Sequence, residues 1–171
     1  MDGRMIRSIV ILPGTVLVFI PAIILLMTQD SHFHPELSSP DEIRFWVALL
    51  LAGIGVMLST WTATLFMKFG EGTPAPWDPP RKMVIRGPYR HVRNPMITSV
   101  LVILLAEALF FRSWPIAFWM LVFFFGNAVY FPLVEEKGLE RRFGDEYRRY
   151  KAHVPRWIPR LRGWKDSEGD Q

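Results

Sequence analysis

The chain has 171 residues, half of them hydrophobic, with 20 Lys and Arg against 16 Asp and Glu and no cysteine. That length suits a single domain, and the lack of cysteine excludes disulfides, thiolate metal sites and a cysteine nucleophile. A net charge of +4 is too small for a nucleic-acid-binding surface; it fits basic loops beside an anionic leaflet.

The charges avoid four long apolar runs, which predicts an all-α, polytopic membrane bundle of four main helices in one domain over 1–165. The start, MDGRMIRS, has the look of a signal peptide. The apolar run behind it is too long for that and no small-residue cleavage site follows, so a retained span is expected at about 8–27. Pro13 and Pro21 should bend it. The segment 28–43 carries Asp30, Glu36, Asp41 and Glu42 and no Lys or Arg. Span two is expected at about 45–69, with Thr60, Thr62 and Thr64 around Trp61 near its end. The following segment is basic, with Lys68, Arg81, Lys82, Arg86, Arg90 and Arg93. Spans three and four, about 95–111 and 114–134, are separated only by Arg112 and Ser113 and must form a tight hairpin. Ten more Lys and Arg residues lie after Val134. The positive-inside rule then places both termini and the middle loop in the cytoplasm, across the inner membrane if the source is bacterial.

Beyond span four the larger apolar residues fall at Leu139, Phe143, Tyr147, Tyr150 and Val154, with arginines between them. This spacing predicts a basic amphipathic helix over about 135–153, lying on headgroups or capping the bundle. The sequence VPRWIP ends it, with Trp157 as an interfacial anchor, and 166–171 is expected to be disordered.

Chemistry gathers at the cytoplasmic face. In GPYRHVRNP (87–95), Gly87 and Pro88 read as a turn, Pro95 suits the first turn of span three, and the free amides there form an anion site. Arg90 and Arg93 serve either as positive-inside anchors or as fork-shaped donors to a carboxylate or phosphate. Glu135 and Glu136 are expected to close span four, where the helix dipole disfavours them. They either pair with Lys137 and Arg141 or recognise an ammonium, ribose hydroxyls or a cationic centre. Glu107, the one carboxylate inside a span, is expected to pair with Arg112 at the far interface. The histidines lack metal-ligand spacing, and no nucleophile elbow, P-loop or dinucleotide fingerprint occurs, so neither a metal nor a nucleic-acid partner is expected.

The ordered pattern GPYRHVRNPM, an apolar hairpin and VEEKGLERRFGDEYRRYKAHVPRWIP resembles the isoprenylcysteine carboxyl methyltransferase family and its phospholipid methyltransferase relatives, over about 80–160. The resemblance implies an integral membrane enzyme that uses S-adenosylmethionine, with its cofactor pocket at the cytosolic face and a lipid or prenylated acceptor entering from the bilayer. It places Tyr89, His91, Asn94 and Pro95 in the cofactor-facing loop with Arg93, and makes Glu135 and Glu136 the second cofactor-binding element. Arg93 and Glu136 are the expected catalytic pair, and Arg156 and Tyr130 the expected acceptor contacts. Tyr147, Tyr150, Pro155 and Arg156 match the family's capping tail. The commoner family form has His where this chain has Asn94, which can donate and accept hydrogen bonds but cannot carry charge. The implied reaction is O-methylation of an isoprenylcysteine-type or isoprenoid carboxylate. N-methylation of a phospholipid amine and a non-catalytic membrane adaptor are the alternatives. The Pro- and Gly-rich loop at 70–85 is expected to border the cofactor entrance.

Overall fold

The computed structural model describes residues 13–70 and 81–164. The first residues of the first expected span, the loop stretch 71–80 and the expected disordered tail lie outside the described residues. Among those described, every regular element is helical. Helix α1 (Ile20–Thr28) follows a π-turn at Thr15–Phe19, and α2 runs over Ile43–Phe69. A 3₁₀ turn at Gly87–Arg90 precedes α3 (Pro95–Phe110). Helix α4 (Trp114–Tyr130) continues through a second π-turn, Phe131–Glu135, into α5 (Glu136–His153).

Each π-turn has a proline at or next to it. A proline has no N–H to give to the preceding turn, so the backbone shifts its bonding register. Ile20 N donates to Thr15 O, and in that register Val16 O would need an N–H from Pro21. It receives the indole Nε1–H of Trp119 instead, at 3.2 Å, which ties the first helix to α4. At the second turn Pro132 lies inside the turn: Phe131 N still donates to Asn127 O, and beyond the proline Glu136 N donates to Phe131 O. Helix α4 therefore ends at Tyr130 rather than Val134, and the glutamates do not close it. Glu136 begins α5, with no free helix end for its charge to oppose.

Helices long and apolar enough to cross a membrane run over Ile43–Phe69 and Trp114–His153, and shorter apolar ones over Thr15–Thr28 and Pro95–Phe110. Only 11% and 6% of the most apolar stretches of the two long helices are buried. A core helix of a water-soluble protein would be mostly buried, so these faces are built for an apolar surrounding. Leu50, Met57, Phe118 and Phe125 are among the side chains left outside.

The closest helix pair is α2 against α3, and small residues permit it. A Cβ on Gly55 would lie 2.5 Å from Ile103 Cγ1 and 3.2 Å from Ser99 O. Thr62, Ser99 and Leu104 are fully enclosed nearby, and the two hydroxyls return to their own helices, at Leu58 O (2.8 Å) and Met96 O (2.6 Å). Gly55→Ala is expected to lower stability by about 1–2 kcal/mol, because the Ser99 carbonyl is backbone and cannot swing aside. A melting curve in detergent checks this; an unshifted curve would show that the two helices separate without cost.

At the other end of α3 the acidic segment folds over the helix terminus. Ser38 N and Glu36 N donate to Phe110 O (2.8 Å) and Phe111 O (3.1 Å), and Ser38 Oγ to Leu109 O, satisfying carbonyls that lack helical partners. Arg112 turns the chain in a left-handed conformation (φ +47°). Its guanidinium meets Glu36 at 2.6 Å and Glu42 at 3.7 Å, not Glu107 as the sequence led us to expect. The folded-back segment brings nearer carboxylates to Arg112, and Glu107 Oε2 is buried without a hydrogen-bond partner.

Candidate functional site

The GPYRHVRNP segment is pressed onto α2 by its glycine. Gly87 has φ +53°, and a Cβ there would come within 3.0–3.2 Å of Leu65 and Trp61. The turn that follows buries Tyr89, whose ring packs on Phe66 with 5.2 Å between centroids. Tyr89 O accepts the hydroxyl of Tyr150 at 2.7 Å, and Arg93 N donates to Pro155 O at 2.9 Å. Loop, α5 and the chain after it thus form one unit at one end of the helices.

Within that unit a single carboxylate collects three cations. Glu136 Oε1 accepts from Arg93 (2.8 Å) and from Arg156 Nε (2.7 Å), while Oε2 faces Lys151 Nζ at 3.0 Å. Lys151 also reaches Glu140 Oε1 at 2.8 Å. The side chains of Glu136 and Arg93 are only 3% and 10% exposed. Burial pushes the Glu136 carboxyl up, but the N–H groups of Arg156 and Lys151 and the charges of Arg93 and Arg156 prevail and hold it below the usual glutamate range. Glu136 is ionised at neutral pH: two guanidiniums share Oε1, while Oε2 has the Lys151 ammonium at ion-pair distance without an aligned hydrogen bond.

Lys151 joins the cluster because α5 is not straight. Gly144 has φ +55° and ψ −125°, which breaks the helix and folds Tyr147, Tyr150 and Val154 back against Leu139 and Phe143. The expected continuous amphipathic stripe is therefore two short helical pieces facing one another.

Beside the ion cluster lies a cavity of about 70 Å³, walled by Phe66, Tyr89, Phe143, Tyr147 and Tyr150 and touched by Arg93 and Asn94. Arg93 Nε and Asn94 Nδ2 are both buried and have no acceptor. Burial pushes all three phenols up; Tyr150 adds to the shift at Tyr89, Tyr147 to that at Tyr150, and Glu136 to that at Tyr147. They remain neutral and do not act as bases; the Tyr150 hydroxyl is given to Tyr89 O. Two unanswered donors in an aromatic-walled space fit a carboxylate or another oxyanion. A cavity of this volume suits a carboxylate group and its neighbours, not a whole nucleoside cofactor.

Of the residues singled out in the sequence, the structure brings Tyr89, Arg93, Asn94, Glu136 and Arg156 to this place, with buried Pro95 starting α3 beneath them. Three others lie apart. His91 Nδ1 contacts Arg160 O at 2.8 Å and its ring packs on Gly163, so it secures the tail. Glu135 is half-buried outside the cluster; burial raises its carboxyl while the charge of Arg142 opposes. Tyr130 sits on the exposed apolar face of α4 beside Phe131. Lys151 escaped the sequence reading, and its one signal was a glycine inside a helical pattern.

A family model described as phospholipid methyltransferase matches residues 43–146, from the start of α2 into α5, and so includes Arg93 and Glu136. No curated protein matches the chain.

Proposed function

The chain belongs to the phospholipid methyltransferase family, membrane enzymes that methylate lipid-like substrates, and from that premise we propose that it moves the methyl group of S-adenosylmethionine onto a lipid-borne carboxylate. The observation that carries the reading is the pair of buried donors without acceptors, Arg93 Nε and Asn94 Nδ2, on two residues that line one cavity. Together with Tyr89 and Tyr147 they would hold the cofactor's carboxylate end. Glu136 would hold Arg93 and Arg156 in place from behind rather than touch the cofactor. S-adenosylmethionine, when bound, supplies a methyl carbon made electrophilic by its sulfonium. An acceptor carboxylate is already a nucleophile, so the protein need only align it and exclude water. Arg156, a partly exposed member of the cluster, would steer that carboxylate.

The acceptor enters, in this reading, from the bilayer between four crossing helices, with both termini on the cytoplasmic side. Supporting this are the basic segments gathered at the cavity end and the Arg112–Glu36 pair at the opposite end of α3.

A second reading, transfer to a phospholipid amine, draws on the family's own description and on Glu135. An amine must lose a proton before it attacks, and a half-buried carboxyl whose affinity for protons is raised suits that task better than Glu136. One experiment tests both. Purified protein in detergent should bind S-adenosylmethionine, and Arg93→Ala should weaken binding at least tenfold, the worth of a charge-assisted hydrogen bond. Labelled methyl should then appear in a lipid extract. Mild alkali releases it as methanol from an ester and leaves it in place on an amine. A well-folded sample with no affinity for the cofactor would instead make the chain a membrane adaptor.

A further inference from the structure

The chain after α5 forms a strap over the arginine-bearing loop. Arg93 N donates to Pro155 O, Arg160 N to His91 O (3.0 Å) and Trp164 N to Arg90 O (2.9 Å), while His91 Nδ1 meets Arg160 O. Trp164 stacks on His153, and Gly163 lies on the His91 ring. The segment is thus fixed along its length. Yet Ile158 and Leu161, in its middle, are 80% and 99% exposed. Rigidly presented apolar side chains need an apolar cover. Trp157, next to them, packs on Phe124 (5.2 Å) and Phe131 (6.1 Å), which joins the strap to the end of α4 where Val129, Leu133 and Val134 are also uncovered. Exposed Arg162 flanks Leu161 on one side, and Arg160, which gives one N–H to His153 O at 2.6 Å, flanks it on the other.

We propose that this strap is a lipid-engaging wedge: Ile158 and Leu161 enter the boundary between headgroups and acyl chains, and Arg160 and Arg162 meet the phosphates of anionic lipids. Two observations select a lipid surface over a protein partner. The apolar tips continue the uncovered face of α4, and the charges beside them are all positive. The wedge has a consequence for the site, because the strap holds Arg156 on Glu136 and Pro155 on Arg93. Lipid contact at its tip would steady the wall of the cavity. The inference rests on the reading of the chain as a membrane methyltransferase, and its test separates the two.

The chain has no cysteine, so Leu161→Cys gives a unique labelling site. The full chain, one copy per nanodisc, carries a polarity-sensitive dye there; Phe125→Cys on α4 is the reference. We expect both dyes to be quenched by doxyl-labelled lipid and shielded from iodide, with quenching at 161 at least twofold stronger when phosphatidylglycerol is mixed into phosphatidylcholine. Iodide access at 161 equal to that of a free dye–cysteine adduct, with 125 shielded, would overturn the wedge alone. Access at both positions would overturn the membrane reading itself. Shielding at 161 without doxyl quenching would mean that protein covers the strap and also ends the proposal. Equal quenching in the two lipid mixtures would remove the preference for anionic lipid.

Discussion

Glu136→Ala is expected to destabilise the protein by about 3–5 kcal/mol and to abolish methyl transfer, since removing one partner of a buried ion pair strands the other. Here the change strands several charges. Arg93, 10% exposed, loses its carboxylate, and Arg156 and Lys151 are left beside it with like charge. The strap then loses the tie that Arg156 makes to Arg93 through Glu136. Glu140→Ala is the informative comparison, because Glu140 is about a third exposed and pairs with the half-exposed Lys151, so its loss should cost under about 1 kcal/mol. The pH dependence follows from the same group. Its folded value lies below the ordinary one, so its stabilisation is complete above about pH 4.3, the unfolded value, and is lost as pH falls through the lower folded value. Wild type should therefore melt progressively earlier in acid over that window, and Glu136→Gln should show a flatter profile. Melting curves followed by tryptophan fluorescence check both. A Glu136→Ala protein that melts with wild type would mean that the buried cluster carries no net stability.

The helices were readable because segregation of charge from apolar runs is a long-range pattern that needs no atomic detail. Helices α2 and α3 fall within two residues of expectation for that reason. That Arg93 and Glu136 belong to one end of the molecule could also be read, since a basic loop and an acidic pair bracket one hairpin. What the sequence could not show is that Arg93 and Arg156 share one oxygen of Glu136, which depends on how the chain returns after α5. Nor could it show which helix end a charge would see. Pro132 turns the expected terminus of α4 into a π-turn, and an argument from the helix dipole fails with it. Glu107 and Arg112 were close in sequence and plausible partners. The acidic segment came closer, and only tertiary structure reports that competition. The apolar spacing of α5 misled in a different way. A stripe at intervals of three and four is satisfied equally by one straight helix on a surface and by two short pieces folded face to face, and Gly144 alone distinguishes them.

Gly144→Ala should undo that fold. In a straight helix Glu136 and Lys151 would stand about 22 Å apart along the axis, beyond what their side chains can span, yet their charged atoms lie 3.0 Å apart. The reversal comes from one residue at φ +55° and ψ −125°, the first central position of a type II′ turn, which glycine adopts freely and alanine does not. A Cβ at Gly144 would meet nothing within 4 Å, so crowding cannot explain a loss; backbone strain alone should cost about 1–3 kcal/mol. If the helix escapes the strain by straightening, Lys151 leaves Glu136 and Glu140, Tyr147 and Tyr150 leave the cavity wall, and Arg93 loses the cover that keeps water from it. Cofactor affinity should then fall at least tenfold, more than the strain by itself would cause. The absence of cysteine again gives a direct reading. Spin labels at Arg141→Cys and Ala152→Cys, eleven residues apart, should sit close in the parent protein and move to roughly 16 Å or more in the alanine variant as a continuous helix forms. An unchanged short distance together with a tenfold loss of affinity would place the defect elsewhere, and unchanged distance, stability and affinity would show that the reversal at Gly144 is not what assembles the site.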